Sequence, residues 1–494
     1  MTRLSRRGFL AASSAAALPL ILPYPARAAT EVQQLFATTR VLDIAGRAVK
    51  VRGLLDAQGR SGLVIDPGKA FRVDLINAGE VETTIHWHGQ HPPNAQDGVT
   101  DLPQPSLKPG ETRSFDFASR PGTHWMHSHI PVQEMELLAA PLIVRSAGDL
   151  AADRQEVTIL LHDLSFRPAA DVLAEITSGA SMAAMGHDMA GHGQATDQAM
   201  SGMSQGGTQP GGKAMGAMGA MGAMDLNDFA FDAYLANDRT LDDPELVAVE
   251  TGGRVLLRII NGAAATVFWI DTGTLPGRVL ATDGNAVVPV SGSRFGLAMG
   301  QRLDIEVTIP AAGGAFPVLA LREGGPERTG IILATPGAAV AKLPVLAAAA
   351  HPAFSGDLTQ EAAFRAMEPL LDRPTDRSDI LILAGSMTPY LWTIDGKGWG
   401  NHRPIVARAG ERVVVSFHNM SMMAHPMHLH GHVFQVIALN GQAVKGALRD
   451  TVHLPPMSMV SVALDAGEAA RWMLHCHHMP HLATGMMTEL AISA

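Results

Sequence analysis

Two strand patterns occur three times along this 494-residue chain, always in the same order. The first is a glycine, a charged residue, a β-rich run and a closing Asn, found at residues 68–77, 253–261 and 410–419. The second is a shorter strand pattern that follows at 113–117, 303–307 and 460–464. Repeats this far apart are whole domains rather than the units of a solenoid. Short strands separated by turn residues predict Greek-key β-sandwiches.

We therefore expect an all-β chain with three sandwich domains, at 31–147, 154–335 and 361–494. Hydrophobic residues make up 47% of the chain, which is enough apolar material for several cores. The formal net charge of -10 argues against a nucleic-acid partner. After the N-terminus no apolar run is long enough to span a bilayer, so we expect no stable membrane insertion of the mature chain.

The N-terminus has the pattern of an export signal. Ser5-Arg6-Arg7-Gly8-Phe9-Leu10 resembles the twin-arginine signal, and an apolar stretch and a small-x-small cleavage site, Ala26-Arg27-Ala28, follow it. We predict a signal peptide over 1–28 and a periplasmic mature protein; the alternative is a short hydrophobic anchor. The single Cys excludes an intramolecular disulfide, so an exported chain leaves this thiol either free or bound to a metal.

Histidine pairs occur at equivalent points of the first and third repeats. In a strand, residues i and i+2 point to the same face, so a His-x-His pair aims both rings at one place. One such pair is usually an ordinary surface or core feature. Four pairs in register with a domain repeat favour a metal cluster, and eight rings suit three copper ions between domains one and three. The pairs are His86/His88, His127/His129, His428/His430 and His475/His477.

The second repeat has no His at the matching stretches, 267–269 and 316–319, so we expect it to hold no metal.

The only Cys of the chain lies inside the last pair. Cys476 points to the face opposite His475 and His477, so it requires a separate site. We expect its partners to be His425 and His481, with Met486 as a weak axial ligand. Two His, one thiolate and a long Met bond make up the blue-copper ligand set. The backbone on either side of Cys476 offers a covalent electron route to the cluster.

Together these motifs resemble the four copper motifs of the multicopper oxidases. The resemblance rests on His86-Trp87-His88-Gly89, His127-Ser128-His129, His425-x-x-His428-x-His430-Gly431 and His475-Cys476-His477-x-x-x-His481-x-x-x-Gly485-Met486. It covers nearly the whole mature chain and implies three cupredoxin-like sandwiches. It also implies one-electron oxidation of substrate at type 1 copper and reduction of dioxygen to water at a three-copper cluster.

The resemblance further implies which residues bind each of four copper ions. His425, Cys476, His481 and Met486 would hold type 1 copper, and His86 and His428 would hold type 2. One type 3 copper would lie on His88, His127 and His477, and the other on His129, His430 and His475. Nine other histidines match no ligand position and are expected to be surface or core residues: His91, His124, His162, His351, His402, His418, His432, His453 and His478.

Asp97 follows the first motif in a loop rich in turn residues. In similar bacterial enzymes an acidic residue here helps to deliver protons to the cluster, which implies that role for Asp97; the alternative is a turn-forming Asp before Gly98. Some relatives carry a second acidic residue directly after the last type 1 His. Here that position is Leu482, so a second proton donor has to come from elsewhere.

Methionines form two clusters. Residues 178–224 are low in complexity and rich in Met and His, which predicts a mobile loop inserted in the second domain. Thioethers favour Cu(I), although a plain flexible insertion is the alternative. The second cluster is Met420, Met422, Met423 and Met427, which either line the approach to type 1 copper or pack in the core.

The stretch 419–430 also resembles the periplasmic copper-resistance oxidases. We therefore expect a monomeric cuprous oxidase that acts on Cu(I) and dioxygen in copper tolerance. The alternative is a laccase-like oxidase of phenols or other small organic donors. A non-catalytic copper-binding scaffold is a third class, but the complete ligand set argues against it.

Overall fold

The computed structural model describes residues 32–100, 102, 104–178, 226 and 228–494. The predicted export signal lies outside this part of the chain, and so does all of the Met-rich stretch except Ser178.

Eight strands in two four-stranded sheets form the first sandwich. The sheet orders are β2-β1-β4-β6 and β3-β8-β7-β5. The strands are β1 (Gln33–Ile44), β2 (Arg47–Asp56), β3 (Leu63–Ile65), β4 (Phe71–Asn77), β5 (Ile85–His86), β6 (Thr112–Phe117), β7 (Gly122–Ser128) and β8 (Ala139–Val144). In β4 the apolar residues Phe71, Val73 and Leu75 alternate with half-exposed ones, so one face of the strand enters the core.

The second sandwich has a six-stranded and a five-stranded sheet, in the orders β10-β9-β12-β17-β14-β15 and β11-β19-β18-β13-β16. Its strands are β9 (Gln155–Leu164), β10 (Ala233–Ala236), β11 (Leu246–Ala248), β12 (Arg254–Asn261), β13 (Phe268–Asp271), β14 (Gly277–Thr282), β15 (Asn285–Gly292), β16 (Arg294–Leu297), β17 (Arg302–Thr308), β18 (Ala315–Arg322) and β19 (Arg328–Ala334).

The third sandwich has the sheet orders β21-β20-β23-β29-β25-β26, with β27 beside β25, and β22-β31-β30-β24-β28. Its strands are β20 (Arg377–Met387), β21 (Tyr390–Ile394), β22 (Ile405–Arg408), β23 (Arg412–Asn419), β24 (His425–Leu429), β25 (Phe434–Leu439), β26 (Gln442–Ala443), β27 (Leu448–Arg449), β28 (Thr451–Leu454), β29 (Met459–Asp465), β30 (Arg471–Cys476) and β31 (Met487–Ser493).

Helices are short and lie between strands. They are a 3-10 turn at Asn94–Gln96 and the α-helices α1 (Pro131–Met135), α2 (Ala147–Ala151), α3 (Ala169–Ser178), α4 (Thr359–Ala363) and α5 (Met479–Ala483). Within the described residues, no helix combines the length and the apolar character needed to cross a bilayer.

The repeated sequence pattern forms the same strand in all three sandwiches. β4, β12 and β23 each lie between a parallel neighbour on one side and an antiparallel neighbour on the other. The second sheets also correspond, because β3·β8, β11·β19 and β22·β31 are all parallel pairs. The expectation of three cupredoxin-like β-sandwiches is confirmed. The exact domain limits 31–147, 154–335 and 361–494 stay a proposal.

The Asn that closes each repeat has a structural reason. Asn77 is buried, and its side-chain amide donates to the carbonyls of Val81 and Leu107, at 2.8 Å each. Its side-chain oxygen accepts from the backbone N–H of Gly79 at 3.0 Å. Asn261 and Asn419 make equivalent contacts in the other sandwiches. Each Asn therefore pins the loop that follows its strand, and in sandwiches one and three that loop leads to a histidine motif.

The sandwiches pack so closely that Gln33–Ala494 forms one compact unit. Buried hydrogen bonds cross between them; for example, Thr123 Oγ1 of the first sandwich donates to Asp304 of the second at 2.5 Å. Such contacts hold neighbouring sandwiches in a fixed relation.

Candidate metal centre

Strand register places the two histidine pairs of each sandwich next to each other. In the first sandwich His86 of β5 lies directly opposite His127 of β7. In the third, His428 of β24 lies opposite His475 of β30. The two sandwiches face each other here, with His86 Nε2 at 3.4 Å from His428 Nε2. The eight rings of the pairs therefore converge on one buried region between these sandwiches.

The eight rings form three groups, in each of which one nitrogen per residue lies within 4.8 Å of the others. The groups are His86/His88/His428, His88/His127/His477 and His129/His430/His475. His129 is half-buried and the other seven are buried. These groups take no residue from the second sandwich, in agreement with the absence of His at its matching stretches.

Most rings turn Nε2 inward because Nδ1 has a partner outside the cluster. The Nδ1 contacts are His86 with the Asp97 carbonyl (2.9 Å), His127 with the Glu134 carboxylate (2.8 Å), His428 with the Asp450 carbonyl (2.9 Å), His430 with the Asp97 carboxylate (2.8 Å) and His475 with the Cys476 carbonyl (2.9 Å). Such outer contacts fix both the ring orientation and the tautomer of a metal-binding His.

His88 is oriented the other way. Its Nε2 lies 3.1 Å from Asp450 Oδ1 and 3.2 Å from Thr451 Oγ1. Its Nδ1 faces the cluster, 3.4 Å from His127 Nε2.

The chemical state of these rings suits a metal. Burial lowers the pKa of His86, His428 and His475 well below the ordinary value, so the rings are neutral, as metal binding requires. His477 is buried, and neither ring nitrogen has a hydrogen-bond partner among the described residues, as expected of a side chain directed at a metal. Neutral imidazoles and a thiolate are donors that copper prefers.

Cys476 forms a separate group in the core of the third sandwich. Its Sγ lies 3.7 Å from His425 Nδ1 and 3.6 Å from His481 Nδ1, and the two nitrogens are 3.1 Å apart. Met486 is buried in the same core cluster, and its backbone bonds to Cys476 and His481. Burial raises the pKa of the Cys476 thiol, so the thiol loses its proton only when a metal binds.

A carboxylate that sequence reasoning missed covers the outer side of His481. Asp228 Oδ2 lies 3.3 Å from His481 Nε2 and accepts a hydrogen bond from the Tyr390 hydroxyl. The ring of His478 stacks on that of His481 with centroids 4.0 Å apart. His481 is 0% exposed and Asp228 only 2%. Asp228 belongs to no motif, so nothing in the sequence marks it.

Asp97 is both a turn residue and a neighbour of the cluster. It caps the turn Asn94–Gln96, and Gly98 follows with φ +84°, where a Cβ would lie 1.8 Å from the Ile85 carbonyl oxygen. Its Oδ2 lies 2.8 Å from His430 Nδ1. Burial raises the pKa of Asp97 to about 6.

Glu134 is a second buried acid that the sequence did not reveal. It lies on α1, and besides contacting His127 its Oε1 is 3.8 Å from His477 Nδ1. Burial raises the pKa of this carboxyl. It follows His129 by five residues, a spacing that no general rule connects with metal chemistry.

The second Met cluster is divided between the surface and the core. Met420 and Met422 are exposed, while Met423 and Met427 are buried in the third core. Ser421, between them, places its Oγ 2.8 Å from His425 Nε2.

The histidines expected to be surface or core residues include five buried ones, His124, His162, His432, His453 and His478.

Comparisons with known proteins agree with this geometry. Three family models described as multicopper oxidase match residues 61–149, 193–336 and 372–494. Multicopper oxidase MmcO of Mycobacterium tuberculosis is 31% identical, over 86% of this chain and 79% of that protein. Copper resistance protein A of Escherichia coli is 24% identical over 86% of each.

Among solved structures, Fet3p, a multicopper oxidase that functions in iron import, has a TM-score of 0.72 and 15% identity, over 94% of this chain and 90% of that one. That likeness supports the fold. On the family models and the 31% identical relative, the chain belongs to the multicopper oxidase family and is a copper-dependent oxidoreductase.

Proposed function

We propose that this chain is a cuprous oxidase with four copper ions, which oxidises Cu(I) and reduces dioxygen to water in the periplasm. In this proposal His425, Cys476, His481 and Met486 hold type 1 copper. The trinuclear cluster takes the three histidine groups described above, with His86 and His428 on type 2 copper. When bound, the copper ions supply reversible one-electron transfer and the reduction of dioxygen.

The main support for Cu(I) as the substrate is the Asp228 carboxylate, which covers the outer side of His481. The ring has no exposed surface, and its outer nitrogen lies 3.3 Å from the Asp228 carboxylate. A bulky phenol has no direct approach to this ring. A small cation does not have to touch the ring, because the Asp228 carboxylate attracts the cation and connects it to His481. Exposed thioethers at Met420 and Met422, close to His425 in sequence, add soft ligands for Cu(I).

The polypeptide itself connects the two sites. Cys476 lies between His475 and His477 in sequence, and these two rings belong to different groups of the cluster. An electron that reaches the thiolate therefore has a covalent route of one residue in either direction.

Two buried acids supply protons in this proposal. Asp97 Oδ2 accepts from His430 Nδ1, so its proton is held on Oδ1. The Asp97 pKa of about 6 keeps a useful fraction protonated near neutral pH. Glu134, beside His127 and His477, is the second donor that Leu482 does not provide.

Support for the cellular role comes from the sequence and one relative. Copper resistance protein A matches 86% of the chain, and the twin-arginine pattern at the N-terminus predicts export. We expect a monomer whose partners are Cu(I) and dioxygen.

Asp228→Asn tests the electron entry. The amide keeps the size of the side chain but loses its charge, so kcat/KM for Cu(I) should fall about tenfold, the equivalent of about 1.4 kcal/mol. Oxidation of a bulky phenol and the blue absorption should stay near the parental values.

Asp232→Asn is the matched control. Asp232 lies on the same segment and accepts from Ser165 and Phe166, with no contact to the copper ligands. An equal loss of Cu(I) turnover in both variants, or none in Asp228→Asn, would contradict the proposed entry point.

A further inference from the structure

Arg302 connects all three sandwiches at a fully buried point. It begins β17 of the second sandwich and is 0% exposed. Its guanidinium contacts Asp450 of the third sandwich at two points, Nη1 to Oδ1 at 2.7 Å and Nη2 to Oδ2 at 2.5 Å. Its Nε donates to the Thr123 carbonyl of the first sandwich at 3.1 Å. A two-point contact of this kind fixes the plane of the carboxylate as well as its position.

Asp450 in turn contacts two of the histidines. Oδ1 lies 3.1 Å from His88 Nε2, and the backbone carbonyl accepts from His428 Nδ1 at 2.9 Å. The Thr451 hydroxyl donates to the same Oδ1 at 2.9 Å. One residue therefore orients a ring from the first sandwich and a ring from the third.

The carboxylate determines which nitrogen of His88 faces the cluster. A ring that donates Nε2–H to a carboxylate leaves the Nδ1 lone pair free. That is the reverse of His86, His127, His428, His430 and His475, whose Nδ1 atoms are bonded outward. If Asp450 rotated away, His88 Nε2 would lose its charged partner and would keep the Thr451 Oγ1 contact at 3.2 Å.

We infer that Arg302 is a positioning residue for the trinuclear cluster: by holding the Asp450 carboxylate in one plane, it keeps Nδ1 of His88 directed at the metal. The inference rests on the copper assignments proposed above. It gives the second sandwich, which supplies none of those ligands, a direct part in the cluster.

The turn before Arg302 approaches the same ligands. The Gly300 carbonyl accepts from Arg302 Nη1 at 2.9 Å. A Cβ on Gly300 would lie 2.8 Å from His477 Cδ2 and 3.2 Å from His88 Cε1. The backbone of this turn thus packs on two ligands of the same proposed type 3 copper, and the guanidinium that follows it holds the carboxylate that contacts one of them.

The competing explanation is that Arg302 has a purely structural role. Arg258 serves as the control that distinguishes this role from positioning of the cluster. Arg258 lies on the neighbouring strand β12, is 1% exposed, and bonds to Asp304 at 3.1 Å and to Glu156 at 3.2 Å. It also donates to Thr123 Oγ1 at 3.1 Å. It is therefore as buried as Arg302 and also paired with carboxylates, and it lies at the junction of the first and second sandwiches. None of these contacts is to a histidine of the cluster or to the third sandwich.

The experiment compares Arg302→Met and Arg258→Met in the full-length, copper-loaded protein. The readouts are copper per chain, the visible type 1 absorption, the type 2 electron paramagnetic resonance signal, the near-ultraviolet absorption of the coupled type 3 pair, and Tm. We expect both variants to melt earlier than the parent. Only Arg302→Met should weaken copper binding at the cluster, by about 10- to 100-fold, and alter its two signals, with type 1 absorption unchanged.

Arg302→Lys is the second variant, in case Arg302→Met does not fold. It keeps the charge but not the two-point contact, so it should fold and still alter the type 2 and type 3 signals. Parental cluster signals in either folded variant, or equal changes in Arg258→Met, would overturn the inference. A parent protein that binds no copper at the cluster would instead refute the proposed function, so the two failures are distinguishable.

Discussion

At the scale of single residues, the outer partners of the imidazoles decide how the site is built. Asp97 contacts His430 through its carboxylate and His86 through its carbonyl, and Asp450 contacts His88 and His428 in the same two ways. One acid on each side of the cluster thus holds two rings. These outer contacts replace the hydrogen bonds that buried imidazoles lose with water.

Asp97→Asn tests the proposed proton supply. The amide keeps the shape of the side chain but cannot deliver a proton at this position. The blue spectrum should remain, because no type 1 residue contacts Asp97, while reoxidation of the reduced enzyme by dioxygen should slow by about 10²-fold or more. Stopped-flow absorption of the reduced protein mixed with oxygen measures this rate. A parental rate would leave Asp97 with its turn-forming role alone.

Burial of Glu323 makes the free energy of unfolding depend on pH, independently of copper chemistry. It is 5% exposed, accepts from the Phe354 N–H at 2.5 Å, and burial raises its pKa to about 7. The folded state therefore favours the protonated acid. As pH rises from about 4.5 to about 7, the unfolded chain ionises first, and the free energy of unfolding falls by up to about 3 kcal/mol.

Glu323→Gln removes that pH dependence, because the amide still accepts the hydrogen bond and never ionises. We expect the variant to be more stable than the parent at pH 8 and close to it near pH 4.5, a sign fixed by the raised pKa. Urea unfolding at both pH values measures the difference. A stability difference that does not change with pH would refute the assignment.

At the scale of elements, strand periodicity explains why the convergence of the histidine pairs could be predicted from the sequence. The two-residue period of a strand brings His86 and His88 together, and register then pairs His86 with His127. The repeat at 68–77, 253–261 and 410–419 likewise predicted three equivalent sandwiches. Outer partners follow no such period. Glu134 comes from a helix, Asp228 from irregular chain and Arg302 from another sandwich, so long-range packing alone brings them to the site.

The Met-rich stretch is the element that distinguishes the two candidate substrates. Deletion of residues 180–222 should leave the fold and the blue absorption intact, because none of the described strands and no proposed ligand lies there. Loop shortening changes the closure entropy only slowly with length. Turnover at low Cu(I) should fall, since the eight thioethers removed with the deleted residues would no longer gather the soft ion.

Oxidation of a bulky phenol by the deletion variant should stay the same or rise. The measurement is kcat/KM for Cu(I) and for the phenol, in parent and variant. Unchanged Cu(I) turnover with slower phenol oxidation would favour the laccase-like alternative.

At the scale of the whole molecule, three copies of one sandwich have taken different roles. The first and third carry the proposed copper ligands on facing sheets, and Cys476 of the third would connect the proposed type 1 site to the proposed cluster. The second supplies Arg302 within the junction, while Asp228, which precedes its strand β10, covers His481. In the proposed function, this arrangement would move electrons from one covered entry point to one buried cluster.

Steady-state oxygen uptake by a single fully copper-loaded sample tests the central claim most directly, with Cu(I) and a bulky phenol as alternative donors. We predict a kcat/KM for Cu(I) at least about tenfold above that for the phenol, because the Asp228 carboxylate over His481 attracts a cation and blocks direct contact of a phenol with the ring. A higher value for the phenol would contradict the cuprous-oxidase proposal and assign the chain to the laccase-like oxidases.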